Sequence, residues 1–97
     1  MGHLPGAGLM IVTLRYWAAA KEAAGVAEET YADAVDLAQL LGLACAAGGR
    51  PADGRLATVL GRCSFVIDGD PVGRRAHADV PLPDGAVVEA LPPFAGG

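Results

Sequence analysis

The sequence predicts an α+β fold, a mixed sheet with one long helix packed across it and an extended C-terminal Gly-Gly tail. Three observations predict it. Val12, Leu14 and Tyr16 are separated by Thr13 and Arg15, the period of a strand with one face in a core. A stretch of helical length, 34–47, carries Leu37, Leu40, Leu41 and Ala44 at the spacing of a single apolar stripe. A last apolar run, Ala86 to Leu91, is closed by Pro92 and Pro93, and each proline fixes φ at about −65° and withholds an N–H.

The elements follow in order. Residues 1–9, Met-Gly-His-Leu-Pro-Gly-Ala-Gly-Leu, lack a basic start and a long apolar run. They read as a disordered extension, with Met10 as an alternative start, and not as a signal peptide. The first strand opens at Met10. Ala18 to Ala24 is a short run of strong helix formers stopped by Gly25. Val26 to Tyr31 is a second strand, paired with the first as a hairpin-like unit through that helix. Asp33 is placed to cap the long helix, which Gly48 and Gly49 end. Gly42 costs about 1 kcal/mol relative to alanine inside it, through either close packing or simple tolerance. Leu56 to Leu60 is a further turn of helix. Ser64 to Ile67 is a third strand, an apolar run expected to be buried on both faces. Asp68-Gly69-Asp70 is a tight turn into a short edge segment, Pro71-Val72. Residues 80–85, rich in proline and ending Asp84-Gly85, turn the chain into the last strand. In this order the first and last strands lie parallel at the sheet centre, with the long helix supplying the crossover, which is a β-grasp arrangement.

At 97 residues the chain is one small domain, expected over 10–91, with 92–97 as a flexible C-terminal tail. The net charge of −4 argues against nucleic acid, which requires clustered Lys and Arg, and favours basic protein partners. No apolar run approaches the ~20 residues of a membrane span, so a cytoplasmic protein is expected. Cys45 and Cys63 lie eighteen positions apart, and with two histidines at no ligand spacing they predict no metal site. Both cysteines read as small buried hydrophobes. His3 and His77 have no catalytic neighbour in sequence and receive no role.

The tail is the most specific feature. Gly96-Gly97 lacks side-chain bulk, so it can adopt conformations closed to other residues and thread a narrow tunnel. Residues 92–97 span roughly 20 Å when extended, enough to carry a carboxylate into another protein's active site. Trp17, Leu91 and Phe94 are the bulky apolar residues best placed beside it, and Trp is a common interface anchor. Trp17 is equally suited to closing the core beneath the first helix.

These residues resemble the MoaD/ThiS sulfur-carrier family of ubiquitin-like proteins, and within it the small subunits of molybdopterin synthase. The resemblance covers nearly all of 10–97. It rests on the first strand running into Tyr16-Trp17-Ala18-Ala19-Ala20-Lys21-Glu22-Ala23-Ala24-Gly25, on Asp68-Gly69-Asp70-Pro71-Val72, on Leu82-Pro83-Asp84-Gly85-Ala86-Val87-Val88, and above all on Leu91-Pro92-Pro93-Phe94-Ala95-Gly96-Gly97. The leader 1–9 and the loop 48–53 depart from it. The resemblance implies that Gly97 is adenylated by a ubiquitin-activating-like adenylyltransferase and converted to a thiocarboxylate by a sulfur donor enzyme. Gly96 would keep the tail narrow. It implies no bound cofactor, ATP being consumed by the activating enzyme, and a molybdopterin synthase large subunit as partner in a heterotetramer with two copies of each chain. The chain would be a cosubstrate contributing no catalytic side chain, which suits the absence of a nucleophile–base–orienter set. A carrier for thiamine thiazole or cysteine synthesis, a ubiquitin-like protein modifier, and a binding module with an inert tail are the other readings of the same features.

Overall fold

The structure is a computed structural model, and it describes residues 10–50 and 54–93. Those residues form, in chain order, β1 (Ile11–Tyr16), α1 (Ala18–Ala24), β2 (Glu28–Ala32), α2 (Leu37–Ala46), α3 (Arg55–Leu60), β3 (Ser64–Ile67), β4 (Asp70–Pro71) and β5 (Val87–Leu91). Short 3-10 turns cover Ala47–Gly49 and His77–Asp79. The strands form one mixed sheet in the order β2-β1-β5-β3-β4. β1 and β5 pair in parallel at its centre, while β1 with β2, β5 with β3 and β3 with β4 are antiparallel. This is the β-grasp fold that the element order predicts.

The two-residue period of β1 sets the core. Val12, Leu14 and Tyr16 are at most 1% exposed and face α2, whose Leu37, Leu40 and Ala44 are fully buried. Val88 and Ala90 of β5 and Leu56 and Leu60 of α3 complete the layer. Each buried large apolar side chain contributes about 1.5–3 kcal/mol relative to exposure. Gly25 and Gly69 are two of the six described glycines at positive φ, a conformation that a side chain would resist. Gly25, at φ 83°, ends α1 with its N–H donating to the Lys21 carbonyl. Gly69, at φ 85°, follows Asp68 at φ 50°; two consecutive positive-φ residues are what a tight hairpin from β3 to β4 needs.

Three expectations need correction. Asp33 does not cap the long helix. It sits at φ 63° just past β2, and its Oδ1 accepts from the Met10 N–H at 3.2 Å. The next residues are held by a distant segment instead: Val35 O accepts from Leu82 N, and Leu37 N donates to Val80 O, both at 3.0 Å. Helix α2 therefore starts three residues late, at Leu37, capped by Asp36, whose Oδ1 accepts from Gln39 N at 2.8 Å. The second strand begins at Glu28 rather than Val26, which is left exposed. The third strand is not buried on both faces: only Phe65 is buried, because Ser64 and Val66 point to the open face of the sheet. Gly42 is exposed, and a Cβ added there would meet nothing within 4 Å, so the helix tolerates it without packing against it.

Candidate functional site at the root of the tail

β5 is the strand that delivers the tail. It is hydrogen-bonded on both sides, with Ser64 opposite Leu91 and Tyr16 beside Ala90, so its end is rigidly placed. Pro92 then removes the N–H that a further ladder bond would require.

Beside that end stands Trp17. It is extended (φ −120°, ψ 148°), and its N–H donates to the Ala90 carbonyl at 3.3 Å. It therefore continues the alternation of β1, with residues 12, 14 and 16 inward and residue 17 outward. Ala18 then turns sharply into α1 at φ 49°, a left-handed conformation that costs alanine of the order of 1 kcal/mol. Trp17 is 46% exposed; it does not close the core beneath α1. Its indole Nε1 donates to Glu89 Oε2 at 3.1 Å, which pins the ring over the open sheet face. Arg15, opposite Glu89 in register, pairs instead with Glu28 at 3.1 Å.

Trp17 and Ala18 are shared by two adjoining grooves. One, of about 300 Å³, is closed by Leu91 and Pro92. The other, of about 630 Å³, runs along α1 past Lys21 and Glu22 to Gly25 and Val26. Trp17 and Leu91 are thus brought together at the tail root. Phe94, Gly96 and Gly97 lie outside the described residues, as does the leader 1–9.

Behind the groove is a polar cluster that sequence reading missed. Glu29 Oε1 accepts from the Tyr16 and Tyr31 hydroxyls, each at 2.8 Å, and from Arg50 Nη1 at 2.9 Å. Arg50 Nη2 donates to Glu29 Oε2 at 3.1 Å. The same guanidinium donates to the Ala44 carbonyl at 2.9 Å and to the Ala24 carbonyl at 2.7 Å. Arg50 thereby joins the C-terminal ends of α2 and α1, where the helix dipoles favour a cation, to β2. Burial alone would raise the Glu29 carboxyl, but the hydrogen bonds from Arg50, Tyr16 and Tyr31 outweigh it and hold the group below the usual glutamate value. Burial and the bond to Glu29 push the Tyr16 phenol well up. The cluster fixes α1, and so one wall of the groove. Glu29 and Tyr31 share the inward period of β2, which is a usable signal; nothing in the local sequence marks Arg50.

The cysteines are free and half-buried. Burial pushes the Cys63 thiol up to about 11 and raises Cys45 despite the nearby Arg50 charge, the opposite of an activated thiolate. His77 lies edge-on to Phe65, ring centres 5.2 Å apart. Among the described residues no three His, Cys, Asp or Glu gather as metal ligands, and no helix is long and apolar enough to cross a membrane.

Residues 14–97 match the ThiS family. No curated protein matches the sequence. Several solved structures are similar. The HVO 2177 protein of Haloferax volcanii is 25% identical, with 93% of this chain and 89% of that one covered and a TM-score of 0.70. A chain from the complex of subunits 1 and 2 of molybdopterin-converting factor from Helicobacter pylori is 27% identical, with 91% and 100% covered and a TM-score of 0.60. Small archaeal modifier protein 1 of Methanosarcina acetivorans is 22% identical, with 99% and 100% covered and a TM-score of 0.72; at that identity it shares the fold.

Proposed function

The chain belongs to the ThiS family, and from that premise we propose that it is the sulfur-carrier subunit of a cytoplasmic molybdopterin synthase. The observation that carries the reading is the strand end from which the tail departs. A central strand, paired on both edges, ends at Leu91 beside an exposed tryptophan, and the family match runs through to Gly97. The likeness to a chain of the Helicobacter pylori complex favours the molybdopterin pathway over thiamine thiazole or cysteine synthesis.

The chemistry follows from what a carboxylate lacks. Its leaving group would be oxide, so it does not acylate. An adenylyltransferase joins the Gly97 carboxylate to the α-phosphate of ATP and releases pyrophosphate. The outer sulfur of a donor-enzyme persulfide then attacks the acyl carbon, and AMP departs with the C–O electron pair. An enzyme thiolate attacks the inner sulfur of the resulting acyl disulfide, forming a disulfide and releasing the thiocarboxylate with the S–S electron pair. One carboxylate oxygen is thereby exchanged for sulfur. The thiocarboxylate enters the large subunit's active site, where two such deliveries build a dithiolene. Trp17 and Leu91, with Phe94, are the contacts for the large subunit, and Gly96 lets the tail pass a narrow channel. The activating enzyme consumes the ATP, and the carrier itself holds no cofactor.

The pathway is tested by supplying the thiocarboxylated chain in turn to a molybdopterin synthase large subunit with its pterin precursor, to a thiazole synthase and to a cysteine synthase-like enzyme. Dithiolene formed with the first alone is the expected result. Product from either of the others, or higher-mass lysine conjugates in cells, assigns the tail to another carrier pathway or to protein modification.

A further inference from the structure

We propose that the end of the sheet at which β5 finishes is a basic docking rim for an acidic protein surface. Lys21 stands on one side of β5, and Arg62, Arg74 and Arg75 on the other. The partner is the activating enzyme, with carboxylates around the mouth of its site. This rests on the reading of Gly97 as the group that is activated.

Strand register gathers these residues. β1 ends with Tyr16 beside Ala90, and Lys21 lies one helical turn further, its N–H bonded to the Trp17 carbonyl. On the other side Ser64 faces Leu91, and Arg62 lies two residues before it. Val72 N donates to Phe65 O, after which the chain turns through Gly73 at φ 65° into Arg74 and Arg75. Arg62 and Arg74 thus stand one and two strand spacings from β5, roughly 5 and 10 Å. All four cations are exposed, and among the described residues none forms an ion pair. Arg75 donates from Nε to the Val72 carbonyl at 3.0 Å and from Nη2 to the Pro71 carbonyl at 3.3 Å. These neutral acceptors fix the guanidinium and leave its charge uncompensated.

The carboxylates at this end are already engaged. Glu28 has Arg15 at 3.1 Å, Glu29 has Arg50 at 2.9 Å and Glu22 has Arg55 at 3.7 Å. Glu89 accepts from the Trp17 indole. These are all the glutamates of the sequence. Aspartates gather at the opposite end of the sheet, where β1 and β5 begin. There Asp33, Asp84 and Asp68 accept from the Met10, Ile11 and Val87 N–H groups, and Asp70 opens β4. The net charge of −4 therefore conceals two poles. It favours a basic partner for the far end alone, whereas the end bearing Trp17 calls for an acidic one. Such a chain turns its basic pole toward an acidic site before contact. Between the flanks lies the apolar groove of Trp17 and Leu91, which suits a protein surface and not a phosphate backbone.

The rim is tested by ATP–pyrophosphate exchange on the activating enzyme at low and high salt, with circular dichroism to confirm each fold. The parent is compared with the double variant Arg62→Glu, Arg74→Glu and with Asp70→Lys at the far pole. The double variant should raise KM about tenfold at low salt with kcat unchanged. The parent's KM should rise with salt toward that of the variant, and Asp70→Lys should stay within about twofold of the parent. In parallel, hexaglutamate is titrated into the isotope-labelled chain. Amide shifts should centre on Lys21, Arg62 and Arg74 and be lost in the double variant. A KM indifferent to the double variant or to salt, an equal rise in Asp70→Lys, or peptide shifts no larger at the rim than at Asp68 and Asp70, overturns the proposal. A parent chain that supports no exchange refutes the reading of Gly97 instead, and the peptide titration, which uses no enzyme, still decides the rim.

Discussion

Replacing Arg50 by methionine should be the most destabilising single change away from the apolar core. The substitution keeps the apolar stem and removes the guanidinium. It abolishes both bonds to Glu29 and those to the Ala24 and Ala44 carbonyls. Breaking a buried ion pair from one side costs about 3–5 kcal/mol. Here the Glu29 and Arg50 side chains are 24% and 16% exposed, and Glu29 keeps two tyrosine hydroxyls, so the expected loss is about 2–3 kcal/mol. For a domain of this size that lowers Tm by roughly 10–20 °C. Arg50→Lys should recover less than half, because a single ammonium cannot fork to the carboxylate and reach both helix ends. Urea unfolding of Arg50→Met, Glu29→Gln and the double variant gives the coupling energy, expected at 1 kcal/mol or more. Stability of Arg50→Met within 0.5 kcal/mol of the parent, or a coupling near zero, would refute the assignment of Arg50 as the joint between the helices.

The depressed Glu29 carboxyl fixes the sign of a pH effect: its contribution is complete above the ordinary glutamate value of about 4.3 and is lost as pH falls through the lower folded value. Urea midpoints of the parent should therefore drop on acidification below that point, and Glu29→Gln, already weaker at neutral pH, should lose less. Gly42→Ala should stabilise the domain by up to about 1 kcal/mol, since the added methyl meets open space; a loss in thermal unfolding would reveal an unseen close approach. Trp17→Ala should weaken large-subunit binding by about 1–3 kcal/mol in calorimetry while leaving Tm nearly unchanged. A collapse of the fold would mean that the indole stabilises the domain and is no anchor.

The parts of the fold legible in the sequence are those that local physics decides. The alternation at Val12, Leu14 and Tyr16, the stop at Gly25 and the Asp68-Gly69 turn each depend on a few adjacent residues, and the structure places them where the pattern does. The misreadings share one cause, contacts distant in sequence. Asp33 and Asp36 are equally good caps by type, and the choice falls to Asp36 because Val35 and Leu37 are tied to Leu82 and Val80. Ser64–Ile67 looks like a doubly buried strand, yet no described element covers the outer face that Val66 occupies. Arg50 is invisible for the same reason, since its partners come from α1, β2 and α2. At the candidate site residue type leaves Trp17 open between core and surface, and the Glu89 bond that holds the exposed indole depends on strand register.

The central claim is that Gly97 is the reacting group, and intact-protein mass after incubation with activating enzyme, ATP and sulfur donor tests it most directly. The unmodified chain should gain about 16 Da as sulfur replaces one oxygen through an acyl-adenylate. A chain lacking Gly97, or carrying one residue beyond it, should gain nothing while keeping its fold, because the adenylating site must hold the carboxylate for in-line attack. A gain of that mass on the extended chain, without trimming back to Gly97, would contradict the account.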